Sequence, residues 1–155
     1  MITMHKIVDI SGSLNNDSNL EILKESVFEP TKEKLIKRAN YYENTDGIVS
    51  YGYAYVDVIL GLIVLDIKNK DEIVILDIAV KKDNQKRGVG KALLNYVLCE
   101  LEPKILIAET DDDAVGFYKK NKFEIVNLGE KYLNNTRYEC KYFNKKTFEN
   151  ALKHT

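Results

Sequence analysis

Residues 83–94 read DNQKRGVGKALL: a polar run, two glycines one residue apart, and then the apolar spacing of a helix. The stretch follows EIVILDIAV (72–80), an apolar run rich in the β-branched residues that favour strands. From Val89 to Leu98 the apolar residues recur with a period near 3.6, which predicts a helix from Gly88 to Leu101. We therefore expect a strand, a glycine turn and a helix, in that order.

A helix that begins at glycines is suited to bind an anion. Its first N–H groups lack acceptors within the helix and carry a partial positive charge. Gly88 and Gly90 have no Cβ that would keep a phosphate from the backbone, and Lys86, Arg87 and Lys91 add positive charge around the turn. The alternative is a tight turn that binds nothing.

The composition is that of an ordinary globular protein, and we expect one domain over residues 1–155. Hydrophobic residues make up 45% of the chain and charged residues 30%, with a formal net charge of −1. This balance gives no reason to expect a nucleic-acid partner. No apolar run approaches the roughly 20 residues that cross a bilayer, so we expect no membrane partner and a cytoplasmic location.

No metal site is expected. Cys99 and Cys140 lack the spacing of a zinc site or of a disulfide framework, and a reduced, structural role is the expectation for both. Three consecutive carboxylates, Asp111, Asp112 and Asp113, open a predicted helix, where negative charge is favoured without any metal.

The remaining patterns predict an α+β fold whose sheet is mostly antiparallel. KILIAE (104–109) follows a helix and is therefore expected to pair in parallel with EIVILDIAV. The other predicted strands are KIVDIS, IVSYGYAYV, VILGLIVLDI, FEIVNL and TRYECKYF. The other predicted helices are NLEILKESVF, KEKLIKRANYY with its start near Thr31, DDDAVGFYKKN and a short terminal KKTFENALKH (145–154).

Two well-known phosphate motifs do not fit the glycine turn. A Walker A loop needs glycine and Ser or Thr where this chain has Gln85 and Ala92. A Rossmann fingerprint needs a third glycine where the chain has Leu93, and it opens a parallel sheet, whereas antiparallel strands are expected before this turn.

The turn Gln85-Lys86-Arg87-Gly88-Val89-Gly90 matches in full the Gln/Arg-x-x-Gly-x-Gly/Ala turn of the GNAT superfamily of N-acetyltransferases. Downstream, ETDDDAVGFYKKNKFE (109–124) is similar to the family's second block, Asn-x-x-Ala-x-x-Phe-Tyr-x-x-x-Gly-Phe. Ala114, Phe117, Tyr118 and Phe123 are in place, and the resemblance covers about residues 46–128. The two blocks together are much more specific than the turn alone.

Two residues depart from the family's pattern. Asp111 stands where asparagine is usual, and aspartate caps a helix as well as asparagine does. Lys122 stands where glycine is usual after the helix. A lysine would be strained in the left-handed conformation that ends many helices, and Asn121 is the alternative residue for that conformation.

The resemblance implies the GNAT acyl-CoA N-acyltransferase fold, with a mostly antiparallel sheet flanked by helices and a splayed parallel strand pair. It implies transfer of an acetyl group from acetyl-CoA to a primary amine of a small molecule, peptide or protein, directly within a ternary complex. The acceptor is not identified, and the chain is expected to be a monomer or a homodimer. The residues implied in binding acetyl-CoA are Ile78, Val80, Gln85, Lys86, Arg87, Gly88, Val89, Gly90, Lys91, Asp111 and Tyr118.

The same resemblance places the general acid at Tyr118, whose hydroxyl would assist the departing thiolate. The base is less determined: Glu109 is the first candidate, Asp77 a weaker one, and water or another group remains open. Five tyrosines are candidates for an aromatic acceptor pocket, or else pack on the sheet: Tyr41, Tyr42, Tyr51, Tyr53 and Tyr132. The alternative function is a non-catalytic module that binds coenzyme A or a partner.

Overall fold

Seven strands form one sheet in a computed structural model, which describes residues 4–132 and 135–145. The strands are β1 (His5–Asp9), β2 (Ile48–Tyr55), β3 (Val58–Asp66), β4 (Glu72–Val80), β5 (Ile105–Thr110), β6 (Glu124–Tyr132) and β7 (Asn135–Phe143). Their order across the sheet is β1-β2-β3-β4-β5-β7-β6. Every neighbouring pair is antiparallel except β4 and β5, which are parallel. The mixed α+β fold and its parallel pair are confirmed.

Four α-helices connect or flank the strands within residues 4–132 and 135–145. They are α1 (Asp17–Leu23), α2 (Lys32–Glu43), α3 (Val89–Tyr96) and α4 (Val115–Lys120). A 3₁₀ turn, Lys24–Ser26, extends α1, and a π-helical segment, Val97–Leu101, extends α3. Helix α2 starts next to Thr31 as predicted, and the Thr31 hydroxyl caps it by accepting the Lys34 N–H at 3.1 Å. Among the described helices, none is long and apolar enough to cross a membrane.

The helices bury two apolar clusters on opposite faces of the sheet. Along β3, Ile63 and Leu65 belong to one cluster, while Leu62 and Val64 belong to the other, because successive side chains of a strand alternate between its faces. The first cluster lies against α3 and α4, and the second lies against α1 and α2. The ends of β4 and β5 therefore have a different helix pair on each side.

The helix predicted over residues 111–121 is shorter than expected at its start. Asp111 turns the chain before the helix, because its Oδ1 accepts the N–H groups of Asp113 and Ala114, each at 3.1 Å. The helix then begins at Val115. The three aspartates lie in this turn rather than in the first helical turn. The N-cap of the helix is Ala114, without a side-chain capping bond, so Asp111 fixes the turn before the helix instead of capping it as predicted.

The same helix ends on a lysine in the left-handed conformation. Lys122 has φ +69°, whereas Asn121 has φ −93°, so the alternative in which Asn121 takes the left-handed conformation is wrong. Asn121 is held otherwise because its Nδ2 donates to the Phe117 carbonyl at 2.8 Å. The N–H of Phe123 closes the helix on the Tyr118 carbonyl at 3.0 Å, which requires the chain to reverse at Lys122.

Two predictions fall outside what is described. The predicted terminal helix KKTFENALKH (145–154) lies outside the described residues except for Lys145, and so does the side chain of Tyr132.

Candidate functional site

The parallel strands β4 and β5 separate partway along their length. They pair from Glu72 with Ile105 to Ile75 with Ala108, and both strands continue beyond the last pair. Beyond that point β4 stays paired with β3 up to Val80, and β5 stays paired with β7 up to Thr110. The two inner edges therefore face each other across a gap, with main-chain groups available for a ligand.

A β-bulge in β4 accompanies the separation. Val64 of β3 pairs with Asp77, but the next residue, Leu65, pairs with Ile75, so Leu76 is the extra residue. A bulge bends its strand and increases the local twist, which turns the end of β4 away from β5. The predicted splayed pair is present, and its physical cause is this extra residue.

Beyond the bulge, the side chains of β4 divide between the two faces. Ile78 and Val80 pack against the cluster beneath α3, whereas Ala79 packs against the cluster beneath α1 and α2. Ile78 and Val80 thus lie on the part of β4 that no longer pairs with β5. Their side chains are on the face of the sheet that α3 covers.

The glycine turn carries β4 into α3 through two left-handed residues. Lys86 has φ +63° and Gly88 has φ +87°. Gly88 is the N-cap of α3, and the helix opens with the Ala92 N–H donating to the Gly88 carbonyl at 3.0 Å. The N–H groups of the residues between them, Val89, Gly90 and Lys91, therefore lack an acceptor within the helix. A Cβ added at Gly88 would have no heavy atom within 4 Å, so the mouth of the helix is open.

Gln85 and Gly90, two motif residues of the turn, also make structural contacts within the protein. Gln85 ties the turn to the end of β4, because its Nε2 donates to the Val80 carbonyl at 3.1 Å. Gly90 packs against α4, since a Cβ there would lie 2.8 Å from the Cε1 atom of the Phe117 ring. The glycine at position 90 is thus explained by helix packing, whereas Gly88 faces open space.

Tyr118 lies on α4 and is 4% exposed. The Phe117 and Phe123 rings flank it, with ring centroids 5.2 and 5.1 Å away. Burial, with smaller contributions from Cys140 and Asp77, raises the pKa of the hydroxyl above its ordinary value. Among the described residues none forms a hydrogen bond with this hydroxyl. The group therefore keeps its proton at neutral pH and is available to a ligand.

The structure ties Glu109 to a partner. Glu109 lies near the end of β5, and its Oε2 is 3.5 Å from Nη2 of Arg137 on β7. The side chain is 43% exposed and points to the face opposite Ala108 and Thr110, which are buried. The Glu109 carboxylate is therefore already engaged in an ion pair.

A buried carboxylate network lies near the same gap, on the face of the sheet that α1 and α2 cover. Asp77 accepts hydrogen bonds from Arg38 Nη1 at 3.0 and 3.1 Å, from Ser26 Oγ at 3.0 Å and from the Tyr42 hydroxyl. Asp77 is 6% exposed. The Asp77 carboxylate thus links the 3₁₀ turn and α2 to β4. Both of its oxygens already accept hydrogen bonds. The sequence analysis missed this network, although a lone aspartate inside the apolar run EIVILDIAV is a signal that a buried partner must exist.

The predicted aromatic pocket is not formed by the tyrosines whose side chains are described. Tyr42 packs beneath α2 on the face of Asp77, with the exposed Tyr41 beside it. Tyr51 and Tyr53 pack against the opposite cluster, where Tyr51 meets Tyr96 of α3. The sheet separates the two pairs, because strand alternation sends the β2 tyrosines to the α3 face.

These features offer three kinds of interaction around one gap. An anion can accept from the open N–H groups of the turn, an extended ligand can bond to the inner edge of β4, and Tyr118 can donate one hydrogen bond. A search of the described residues finds no group of three or more His, Cys, Asp or Glu that could hold a metal ion.

A family model described as "Acetyltransferase (GNAT) domain" matches residues 35–125, which is more than half of the chain. The match includes β2 to β5, the glycine turn and α4. A comparison with curated proteins finds no significant match.

Solved structures share the fold. Ard1 from Thermoplasma volcanium is 24% identical, with a TM-score of 0.69 over 91% of this chain and 98% of that one. A GNAT family acetyltransferase from Elizabethkingia anophelis, solved with acetyl-CoA bound, is 20% identical, with a TM-score of 0.66 over 92% and 99%. The ribosomal-protein-S18-alanine N-acetyltransferase from Escherichia coli is 16% identical, with a TM-score of 0.66 over 90% and 94%.

Proposed function

Because the chain belongs to the GNAT acetyltransferase family, we propose that it transfers an acetyl group from acetyl-CoA to a primary amine. The amine belongs to a small molecule, a peptide or a protein, and transfer is direct, within a ternary complex. The observation that carries the proposal is the gap between β4 and β5, with an open helix N-terminus at the end of β4.

The glycine turn is the proposed site for the diphosphate of acetyl-CoA. The N–H groups of Val89, Gly90 and Lys91 supply donors, and the open space over Gly88 lets an anion approach them. Gln85 acts by holding the turn against Val80 rather than by touching the ligand. Lys86, Arg87 and Lys91 supply positive charge around this turn.

The inner edge of β4 is the proposed site for the pantetheine arm, with Ile78 and Val80 beside it. When bound, acetyl-CoA supplies a thioester whose acyl carbon is open to attack by an amine. Asp111 acts indirectly, since its bonds to Asp113 and Ala114 fix the turn that leads into α4, the helix that carries Tyr118.

Tyr118 is the proposed proton donor at the sulfur. A free thiol has a pKa of about 8.5, below that of any tyrosine with a raised pKa, so complete proton transfer to a thiolate is unfavourable. The hydroxyl instead stabilises negative charge on sulfur through a hydrogen bond, and its burial strengthens that bond. Its raised pKa keeps the donor protonated across the neutral range.

The base is proposed to be water or a group of the acceptor rather than Asp77. Within the described residues, all four hydrogen bonds to Asp77 come from Arg38, Tyr42 and Ser26, so its carboxylate oxygens are already engaged. Glu109 stays a candidate, although its carboxylate is ion-paired with Arg137.

Isothermal titration with acetyl-CoA, followed by a thiol-release assay over amines, polyamines, amino acids and peptide N-termini, tests the proposal. We expect saturable binding and amine-dependent thiol release above the rate of simple thioester hydrolysis. A flat titration at millimolar acetyl-CoA would exclude the proposed function. Binding without turnover on any amine would instead assign a module that binds the coenzyme without catalysis.

A further inference from the structure

Two ion pairs border the gap on the face of the sheet that α1 and α2 cover. Asp77 of β4 and Glu109 of β5 both lie on this face, within two residues of the last β4–β5 pair. Asp77 pairs with Arg38 of α2, and Glu109 pairs with Arg137 of β7. We call this side of the gap the acceptor mouth, because it lies opposite the face that α3 and α4 cover. It therefore carries two guanidinium groups and two carboxylates.

Arg38 uses one edge of its guanidinium group and leaves another unused. Both hydrogen bonds to the Asp77 oxygens come from Nη1, at 3.0 and 3.1 Å. Neither Nε nor Nη2 forms a hydrogen bond within the described residues, and neither is buried, since the buried unpaired atoms there are Asn19 Oδ1 and Arg137 Nε. Nε and Nη2 form the edge that binds a carboxylate through two parallel N–H···O bonds. Asp77 thus orients Arg38 and leaves this edge accessible to a ligand.

Arg137 is a second guanidinium group that its carboxylate partner does not satisfy. Its Nη2 lies 3.5 Å from Oε2 of Glu109, which is longer than an ordinary charge-assisted hydrogen bond. Its Nε is buried and has no hydrogen-bond partner in the part of the chain that is described. A buried donor on a charged group is costly when it lacks an acceptor. The negative charge of a bound ligand at the acceptor mouth would therefore stabilise this arginine.

We propose that the acceptor is a free amino acid whose carboxylate binds the Nε–Nη2 edge of Arg38. The inference rests on the proposed function and names the class of amine. An amino acid carries its ammonium and its carboxylate on one carbon, which matches a mouth that holds both signs of charge. A polyamine would bring only positive charge toward Arg38 and Arg137, at a cost in Coulomb energy. A peptide N-terminus has an amide in place of the carboxylate and cannot form the paired bonds.

The first test compares matched acceptors on the wild-type protein. Each set is an amino acid, its carboxamide and its decarboxylated amine, and spermidine serves as the polycation. We expect kcat/KM for thiol release to be about tenfold or more higher for the amino acid than for the other acceptors. Intrinsic reactivity works in the opposite direction, because the carboxamide lacks the carboxylate that stabilises the ammonium and so has more free base.

The outcomes of this comparison are distinct. Equal or higher kcat/KM for the carboxamide, the decarboxylated amine or spermidine would overturn the inference while leaving acetyl transfer to amines intact. Thiol release with none of the acceptors, and with no other amine, would instead remove the proposed function and this inference with it.

The second test replaces Arg38 by lysine. Arg38→Lys keeps a counter-charge for Asp77 but lacks the planar edge that binds a carboxylate through two bonds. We expect the KM of the amino acid to rise about tenfold and kcat to stay within about threefold, because the lost contact binds the ground state and the transition state alike. The KM of the decarboxylated amine and the Kd of acetyl-CoA should not change.

The matched control is Lys37→Ala, which removes an exposed cation from the neighbouring position of α2 and should change none of these constants. A merely structural role of Arg38 would raise the KM of the amino acid and of the decarboxylated amine by the same factor, and that result would overturn the inference. If Arg38→Lys does not fold, the comparison of acceptors on the wild-type protein still decides, since it needs no variant.

Discussion

Tyr118 is unusual among the tyrosines of this chain because it is buried without a hydrogen-bond partner in the described residues. A hydroxyl that bonds to no described residue contributes little to the stability of the fold, so Tyr118→Phe should leave the free energy of unfolding nearly unchanged. We expect the same variant to lower kcat about 100-fold and to change the Kd of acetyl-CoA less than threefold, because a proton donor acts on the reacting sulfur. Steady-state kinetics measure kcat, and titration calorimetry measures the Kd of acetyl-CoA.

The control for this substitution is Tyr53→Phe, which removes a hydroxyl that contacts the His5 ring at the surface. Its kcat should equal that of the wild type. Wild-type turnover by Tyr118→Phe on a true acceptor would remove Tyr118 from the mechanism.

Gly88 permits a sharper test of the anion site than Gly90 does. Substituting Gly90 would press a side chain into the Phe117 ring, so any loss of binding would be mixed with a loss of packing. Gly88→Asn keeps the left-handed conformation at a cost below about 1 kcal/mol and places a side chain over the helix mouth. We expect acetyl-CoA to bind at least tenfold more weakly, as measured by calorimetry.

Gly12→Asn is the matched control, because Gly12 has φ +93° and equally open surroundings but lies in the turn before α1. It should bind acetyl-CoA as the wild type does. An unchanged affinity in Gly88→Asn would contradict an anion site at the turn.

At the scale of elements, Asp77 joins α2 and the preceding 3₁₀ turn to the splayed part of β4. Asp77→Asn keeps the shape but leaves Arg38 without its counter-charge. Breaking a fully buried ion pair costs about 3–5 kcal/mol, and the 39% exposure of Arg38 reduces the expected loss to about 2 kcal/mol. Urea denaturation measures it.

The kinetics of the same variant separate an anchor from a base. A structural anchor predicts that the folded Asp77→Asn protein keeps kcat within about threefold and shows its main change in the KM of the acceptor. Tyr42→Phe, which removes one bond to the same carboxylate, should show a smaller effect of the same kind. A loss of kcat beyond about 100-fold in Asp77→Asn alone would restore Asp77 as the base.

The elements themselves were largely predictable from local patterns. Strand alternation, the period of α3 and the start of α2 near Thr31 are local signals, and each predicts what the structure contains. The bulge at Leu76 was not predictable, because EIVILDIAV alternates without a break and the extra residue shows only when β3 is paired with it. The sequence left open whether Lys122 or Asn121 takes the left-handed conformation, because the choice is imposed by the Phe123 bond back to Tyr118.

For the whole molecule, the sheet decides which residues can meet. The glycine turn and Tyr118 share the α3 and α4 face, whereas the Asp77 network lies on the other face. Motif spacing predicts the first group, because its members are close in sequence to two recognisable blocks. The partners of Asp77 come from residues 26, 38 and 42, and no local pattern relates them to β4.

The buried thiol of Cys140 gives the folded molecule a predictable response to alkaline pH. Burial, and to a smaller degree Glu139, raise the pKa of this thiol to about 11, whereas an unfolded cysteine titrates near 8.5. The folded state therefore retains a proton that the unfolded state loses, and the free energy of unfolding falls as pH rises above about 8.5. One such group contributes at most about 1.4 kcal/mol per pH unit. Burial also raises the pKa of Tyr42 and Tyr118, so the decline continues above pH 10, where unfolded tyrosines begin to titrate.

Cysteine substitutions separate the contribution of Cys140 to this loss of stability from that of the tyrosines. Urea denaturation under reducing conditions at pH 7.5, 8.5 and 9.5, about the titration range of an unfolded thiol, should show a decline in the wild type that Cys140→Ala lacks. Cys140→Ala will be less stable at every pH because it leaves a cavity, so the slope with pH is the measurement rather than the absolute value. Cys99→Ala removes an exposed thiol and should keep the wild-type slope. Parallel slopes in the wild type and in Cys140→Ala would show that the buried thiol does not govern the response.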